Sequence, residues 1–514
     1  MSGTRESAGD FSQSITAHVL YLSCVAALIC VIPPSVLSDL DRGAILAVGI
    51  LGTWRYSWNL LHLARALFYQ KWVFPQMRER ASRLARETEA PHAFFLITSF
   101  RISTDTSIRV YRAVFEAALA HPGRSTIIAS LVEMADQRLV KSLFLDLVGA
   151  DHDRINLTLT RIAGTGKRDA LAFGFRAVSA TKPGPAENDI VMVIDGDSIV
   201  PADIVERCAP ILLLDPNVGA LTTDEISEVQ SGGKRIFHHW YSLRFAQRQI
   251  LMSSMGLSRR VLTLTGRMSM FRAPLVCDPS FIRQIESDRI EHWRIGQYSL
   301  LTGDDKSSWF WLLSRGYQML YVPDVVVRTV EELPDPRFFR TSLTLMKRWF
   351  GNMLRTNGRA IAVGPSRIGL FTWWCIIDQR LSMWTSLTGI IFAVLSAISV
   401  SAWALAIYAA WILVSRYMLS LLLLSQRNEM SVWYPILLWY NQVVGSLVKT
   451  YALSHPSQQK WTRQKTTLAK NAGSFRERYI ALSSNISHAV MLTALITAIA
   501  VWTRTLSFPS GMAF

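Results

Sequence analysis

Long, mainly apolar runs lie towards both ends of this chain and only short ones between them, so no single solvent suits the whole molecule. The first run spans 17–32 and stops at Pro33-Pro34. A second follows the acidic link of Asp39 and Asp41 and spans 44–68. Each approaches the roughly 20 residues that cross a bilayer as a helix. Near the other end, 382–400 and 403–424 read as a tight helical hairpin and 487–501 as a shorter last span. The stretch 432–453 is ambiguous: if it crossed, the basic segment 460–478 would lie outside, against the preference of Lys and Arg for the cytoplasmic face. It is therefore expected to be interfacial or re-entrant, which gives five spans and a periplasmic C-terminus, with six spans as the alternative.

Composition supports a membrane protein with a large water-facing part. Half of the 514 residues are apolar, 17 are Trp and 18% are charged, where soluble domains carry roughly a quarter. The formal charge of +16 could suit nucleic acid, but its distribution argues otherwise. Arg65, Lys71, Arg78, Arg80, Arg83 and Arg86 follow one apolar run; Lys460, Arg463, Lys465, Lys470, Arg476 and Arg478 precede another. Such clusters mark the cytoplasmic side of a membrane, and no helix-turn-helix, zinc-finger or RNA-recognition signature accompanies them. The polar first residues carry no cleavable signal pattern. Cys24, Cys30, Cys208, Cys277 and Cys375 are scattered without paired spacing, as expected of buried thiols in a reducing compartment.

From 91 to 336 short β-rich runs alternate with helical ones. Strands are expected at 94–100, 126–131, 157–162, 190–194 and 262–265, and helices at 107–119, 136–147 and 169–180. The alternation implies an α/β, doubly wound and mainly parallel sheet, whose ligands bind at the carboxyl ends of the strands.

Three motifs sit where that rule points. An apolar strand ends in Asp195-Gly196-Asp197. Two carboxylates with glycine between them suit a hard divalent cation that shares its shell with phosphate oxygens; alone, the same letters make ordinary turns. Thr302-Gly303-Asp304-Asp305-Lys306 supplies a second acidic pair. Alone it reads as a solvated loop; beside the first pair, one carboxylate can hold a metal while another acts as general base, and crowding of Asp304 against Asp305 is expected to raise one of their pKa values. Gly164-Thr165-Gly166-Lys167-Arg168-Asp169 leads into a helical run, a phosphate-binding arrangement without the P-loop spacing. Lys347-Arg348-Trp349 lies on an amphipathic stretch, where Trp offers a flat face to a sugar and Arg clamps a diphosphate or carboxylate; an interfacial anchor is the plainer reading. Lys460-Trp461-Thr462-Arg463 is either a mobile loop over the nucleotide or a positive-inside anchor. His238-His239 lacks acidic partners at ligand spacing. Arg55 and Arg416 fall within predicted spans, where charges line a functional path or snorkel to the interface.

In combination and in this order, these residues resemble the processive family 2 glycosyltransferases, the cellulose, chitin and hyaluronan synthases. Asp195-Gly196-Asp197 matches their DxD element, Gly303-Asp304-Asp305 their TED/GDD element, Arg348-Trp349 the end of their QxxRW element, and Trp461-Thr462-Arg463 their gating-loop motif. Leu345 stands where the general pattern has Gln. A closer resemblance, which includes Leu345, is to the bacterial alginate polymerases, the catalytic subunits of mannuronan synthase. It is carried by stretches beginning at Thr98, Ser130, Gly164, Leu262, Leu301 and Asp378.

The resemblance implies a cytoplasmic GT-A domain, with its Rossmann-like doubly wound sheet, inserted in an α-helical transmembrane domain. The expected layout is a transmembrane hairpin over 1–70, the GT-A domain over 71–340 and interfacial helices over 341–381. A hairpin over 382–425, an interfacial helix and gating segment over 426–486 and a last span over 487–514 complete it. It implies GDP-mannuronic acid as donor, β-1,4-polymannuronate as product, Mg2+ or Mn2+ as cofactor, contact with membrane lipid, and a cyclic-di-GMP-binding PilZ-type partner subunit. It assigns Asp305 as base with Asp304 tuning it, and Asp197 and Asp195 to the metal. Thr98, Glu133, Lys167, Arg168, Asp195 and Arg348 go to the nucleotide-sugar, Trp349, Gly266 and Arg267 to the acceptor, and Trp461, Thr462 and Arg463 to the gating loop. The alternative is a family 2 enzyme that uses a UDP-sugar, either for another polysaccharide or for a single transfer to a lipid carrier.

Overall fold

The computed structural model describes residues 11–36, 42–150, 152–163, 166–230, 235–459 and 475–503. Its centre is an eight-stranded mixed sheet in the order β3-β2-β1-β4-β7-β6-β10-β5. β1 (Ala93–Thr98), β2 (Ser125–Leu131), β3 (Ile155–Arg161) and β4 (Ile190–Asp195) run parallel. β5 (Ser198–Ile199) pairs antiparallel with β10 (Gln318–Glu331), which runs parallel to β6 (Val218–Val229). β7 (Met268–Arg272) is antiparallel to both of its neighbours, β4 and β6. Every residue of β1 and β2 is buried, as continuous apolar runs in a sheet covered on both faces must be. Full burial of each Phe or Ile side chain there contributes about 1.5–3 kcal/mol.

The four parallel strands lie where the sequence places them. The expected strand at 262–265 does not form; β7 begins only at Met268, beyond Gly266-Arg267. The carbonyls of Val261 and Leu262 are instead taken by the Trp309 indole and the Lys306 ammonium, at 2.6 and 2.7 Å. β6 and β10, which complete the sheet, were not anticipated.

Seventeen α-helices occur among the described residues. α1 (Ile15–Val31), α2 (Arg42–Phe68) and α3 (Phe74–Glu87) precede the sheet. α4 (Thr104–Ala120), α5 (Met134–Leu147), α6 (Lys167–Ser179), α7 (Ile204–Leu213), α8 (Arg235–Gly256), α9 (Ala273–Val276) and α10 (Pro279–Glu286) connect its strands. The hairpin β8 (Arg289–His292) and β9 (Gly296–Ser299) leads to α11 (Asp304–Ser314). After β10 come α12 (Phe338–Val363), α13 (Pro365–Ile368), α14 (Leu370–Ser399), α15 (Trp403–Leu423), α16 (Tyr434–Ser454) and α17 (Phe475–Trp502).

Three of these, α14, α15 and α17, are long and apolar enough to cross a membrane. α14 is one continuous helix from Leu370, so it begins ahead of the expected span at 382–400. α17 likewise starts at Phe475 rather than near 487. α1 is apolar but shorter, and docks on α15 through Tyr21, whose hydroxyl donates to the Leu413 carbonyl at 3.0 Å. α16 packs among α12, α14, α15 and α17 and buries residues along its length. α2 is bolted to α8 by His62 and Arg65 on Ser254, and Gln70, just beyond α2, donates to Ser253. Arg55 donates to Asp378 at 2.6 Å and to Thr385 at 2.9 Å, so its charge is matched inside the helical layer. Arg416 is held by the Tyr56 hydroxyl and by Gln442.

Candidate active site

Each acidic motif occupies an element end that faces the same space. In the sheet Thr98 is in register with Asp195, so β1 and β4 stop together. The next amide, Gly196, donates to the Thr98 carbonyl at 3.0 Å. A Cβ at Gly196 would lie 2.4 Å from Ser99 Oγ, which explains glycine between the carboxylates. Asp304 and Asp305 open α11 behind Gly303, whose φ of +84° is left-handed. Glycine adopts that conformation at no steric cost, and carboxylates are stabilised at a helix N-terminus.

The two motifs meet through Lys167, the first residue of α6. Its ammonium lies 2.5 Å from Asp195 and 3.1 Å from Asp304. Burial alone would lower the Lys167 pKa, but Asp195 and Asp304 more than reverse that and hold it charged. Burial also raises Asp304, and Lys167 with Arg168 outweighs it, so Asp304 stays ionised. Asp195 is raised by burial and by Asp197 and Asp304, against the pull of Lys167. Asp305 is pushed up to about 6 by burial and then by the Asp304 charge, and accepts the Lys306 amide at 2.9 Å. A carboxylate of that basicity is ionised at neutral pH yet able to hold a proton.

All four acids line one cavity of about 750 Å³, together with Thr98, Lys167, Gly266, Arg267, Leu345, Arg348 and Trp349. Thr98 Oγ1 is buried and has no hydrogen-bond partner among the described residues. Glu133 lies in an adjoining hollow that shares Val132 and Ile162 with the cavity. Gly266 is pressed against the acids: a Cβ there would sit 2.6 Å from Lys167 Nζ and 2.8 Å from Asp195 Oδ2. It therefore stands beside the carboxylates, in the cavity that Trp349 also lines. Arg267 spans Glu225 at 3.0 Å and Glu331 at 2.6 Å.

Arg168 is a correction. Its guanidinium turns away from the cavity, donating to the Ile285 and Thr302 carbonyls and to Ser307 Oγ at 2.7, 3.1 and 3.1 Å. It ties α6 to the turn that presents Asp304 and Asp305 and is not among the residues that line the cavity. The sequence places two cations at a helix start; it does not say which one faces outward. Gly164, Thr165, Trp461, Thr462 and Arg463 lie outside the described residues. His239 is buried, with Nε2 3.3 Å from Ser12 Oγ, as a packing histidine would be.

Among the described residues no group of three His, Cys, Asp or Glu could hold a metal by itself. Asp195 and Asp197 still fit a hard divalent cation, because both are oxygen donors on the cavity wall and the remaining positions could come from phosphate and water.

The sequence profile described as "Glycosyltransferase like family 2" matches residues 91–352, which contain the sheet and every acid of the cavity. The chain belongs to the family 2 glycosyltransferases. This family 2 enzyme is 42% identical over 466 residues to "Glycosyltransferase alg8" of Pseudomonas syringae pv. tomato, covering 91% of this chain and 93% of that protein. It is 41% identical over 469 residues to "Glycosyltransferase alg8" of Azotobacter vinelandii, with 91% and 94% covered. A solved mannosyltransferase of Pyrobaculum calidifontis, in complex with GDP-Man and Mn2+, covers 76% of this chain and 98% of its own at 16% identity. Its TM-score is 0.41, too low to carry any argument about ligands here.

The sequence reading passed over one face of α8. Tyr241, Arg244, Phe245, Arg248 and Met252 recur at helical spacing and all line the cavity. The signal was the i, i+3, i+4, i+7 placement of polar and aromatic residues in a helix with little net amphipathicity.

Proposed function

We propose that this glycosyltransferase polymerises GDP-mannuronic acid into β-1,4-polymannuronate and passes the product into the membrane from a cytoplasmic catalytic domain. What chiefly supports the reading is the reach of the cavity. Its wall includes Asp195, Asp197, Asp304 and Asp305, Trp349, Asn441 of α16 and Gln379 of the membrane-length α14.

In this reading Asp305 takes the proton of the acceptor hydroxyl as the new bond forms at the anomeric carbon. Asp304, kept ionised by Lys167, maintains the basicity of Asp305. Asp195 and Asp197 would hold Mg2+ or Mn2+, which supplies charge neutralisation for the diphosphate leaving group. Thr98 and Glu133 sit on the nucleotide side, Arg348 near the diphosphate and Trp349 beneath the acceptor. The reading places the chain in the bacterial inner membrane and includes a cyclic-di-GMP-binding partner subunit.

The test is incorporation of labelled GDP-mannuronic acid into high-molecular-weight polymer by membranes carrying this chain and its partner, with and without chelator. Metal-dependent polymer supports the proposal. Polymer from a UDP-sugar only, or a single sugar added to lipid, would replace it.

A further inference from the structure

Arg244 lies on the cavity-facing side of α8, one turn beyond Trp240. Trp240 and Trp349 stack with centroids 5.6 Å apart at 25°. The Arg244 guanidinium carbon is 4.3 Å from the Trp349 ring centre and 5.2 Å from that of Trp240. Beside those ring contacts it makes no hydrogen bond or ion pair among the described residues.

The charged groups around it offer no relief. Tyr241, Arg267 and Glu331 are its electrostatic neighbours on the cavity side, and Lys449 is a further cation close by on α16. Glu331, the carboxylate among them, already accepts Arg267 at 2.6 Å and the Tyr241 hydroxyl at 3.1 Å. Three other cavity cations have carboxylates, and a fourth, Lys306, donates to the Leu262 carbonyl at 2.7 Å. Arg267 has two carboxylates, Lys167 has two, and Arg248 approaches Glu225 at 3.3 Å. Burial accordingly lowers Arg244 to about 10, with Arg267 adding to the effect against Tyr241 and Glu331. A desolvated cation without a counter-charge is costly unless a ligand supplies one. Stacking occupies only the face of a guanidinium and leaves its N–H edges free for a bidentate carboxylate.

We infer that Arg244 is a specificity-determining residue that pairs with the carboxylate of an acidic sugar resting at Trp349, so that the site selects uronate acceptors over neutral ones. The inference rests on the reading of the Trp349 end of the cavity as the acceptor end. It requires an anionic acceptor sugar, not mannuronate in particular.

The experiment measures binding of short oligomannuronates, oligoglucuronates and neutral manno-oligosaccharides of equal length to the detergent-solubilised full chain, alongside binding of GDP. Wild type is expected to prefer the acidic oligosaccharides by about tenfold or more, the worth of a charge-assisted pair. Arg244→Gln should abolish that preference while leaving GDP affinity within about twofold, and Arg244→Lys should retain part of it. Unchanged GDP binding also certifies that the variants are folded. A preference that survives in Arg244→Gln, or no acidic preference in wild type, overturns the inference. Loss of GDP binding in both variants with an intact melting transition also overturns it, because the cation would then serve the diphosphate. The donor reading fails separately: a chain that prefers oligoglucuronate through Arg244 and makes no polymer from GDP-mannuronic acid keeps this inference and loses the proposed substrate.

Discussion

Two cations enter the same cavity and meet opposite company. Lys167, at the start of α6, lies between Asp195 and Asp304 and is fully matched. Arg244, in the middle of α8, lies over indole rings and makes no hydrogen bond or ion pair among the described residues. The first is an internal strut that lets carboxylates from separate elements crowd together. The second is positioned for a charge that the described residues do not supply. The sign of a cavity residue therefore says little until its partners are counted, because a matched charge fixes architecture and an unmatched one awaits a ligand.

The largest effect should come from the acid that the Lys167 end exists to present. Asp305→Asn is expected to lower kcat by about 10²–10⁴-fold, the usual worth of general-base catalysis, while GDP affinity stays near wild type. Radiolabel incorporation and equilibrium binding check the two halves. Retained turnover would remove Asp305 from the chemistry.

Removing the strut tests the architectural side. Lys167→Met leaves Asp195 and Asp304 facing each other across a buried site, and breaking such a pair costs about 3 kcal/mol. Thermal unfolding of the solubilised chain should show a clear drop, partly recovered in the double variant Lys167→Met/Asp304→Asn, which removes one of the stranded charges. No recovery would mean that Lys167 acts by something other than charge matching.

Gly266→Ala should fall below that. Its Cβ would press on Lys167 Nζ and on Asp195 Oδ2, and overpacking of this kind costs about 1–3 kcal/mol. Metal-dependent turnover should drop more than overall stability, since the displaced atoms are those facing the cavity. An alanine variant with wild-type metal dependence would show that the contact relaxes freely.

The smallest effect is a shift in pH profile. Turnover should rise through an apparent pKa of about 6 as Asp305 ionises, and Asp304→Asn should move that limb down by about one unit once the like charge is gone. Stability runs the other way for Asp305. Its contribution is fully present below the unfolded value of 3.8 and is lost as pH rises through about 6. Asp304, whose folded pKa is lowered, contributes above its unfolded value and loses that contribution on acidification. A limb that stays in place in Asp304→Asn would mean that the two acids are not coupled.

Much of the molecule could be read in advance where the physics is local. β1 to β4 announce themselves because a strand buried on both faces must be apolar throughout, and Asp195, Asp197, Asp304 and Asp305 stand out as charges at the ends of such segments. α14 and α15 do so because a bilayer-length helix needs a long apolar run. β7 was misplaced to 262–265 because two adjacent β-prone runs flank Gly266-Arg267, and the choice between them depends on which carbonyls α11 claims. β6 and β10 were missed because their polar positions, among them Asp224, Glu225 and Glu331, are compensated by cations elsewhere in the chain.

What the sequence by itself determined, then, is the division into a sheet-bearing part and apolar helices, and the four carboxylates at element ends. Both follow from residue pattern over a few turns or one strand. Tertiary structure alone decided that Lys167 faces the acids while Arg168 turns into the core, that Gly266 belongs with Asp195, and that Arg244 has no ion pair among the described residues. Those outcomes depend on which groups become neighbours across more than a hundred residues in some cases, and charge pairing and desolvation act on distance in space, where sequence order has no say.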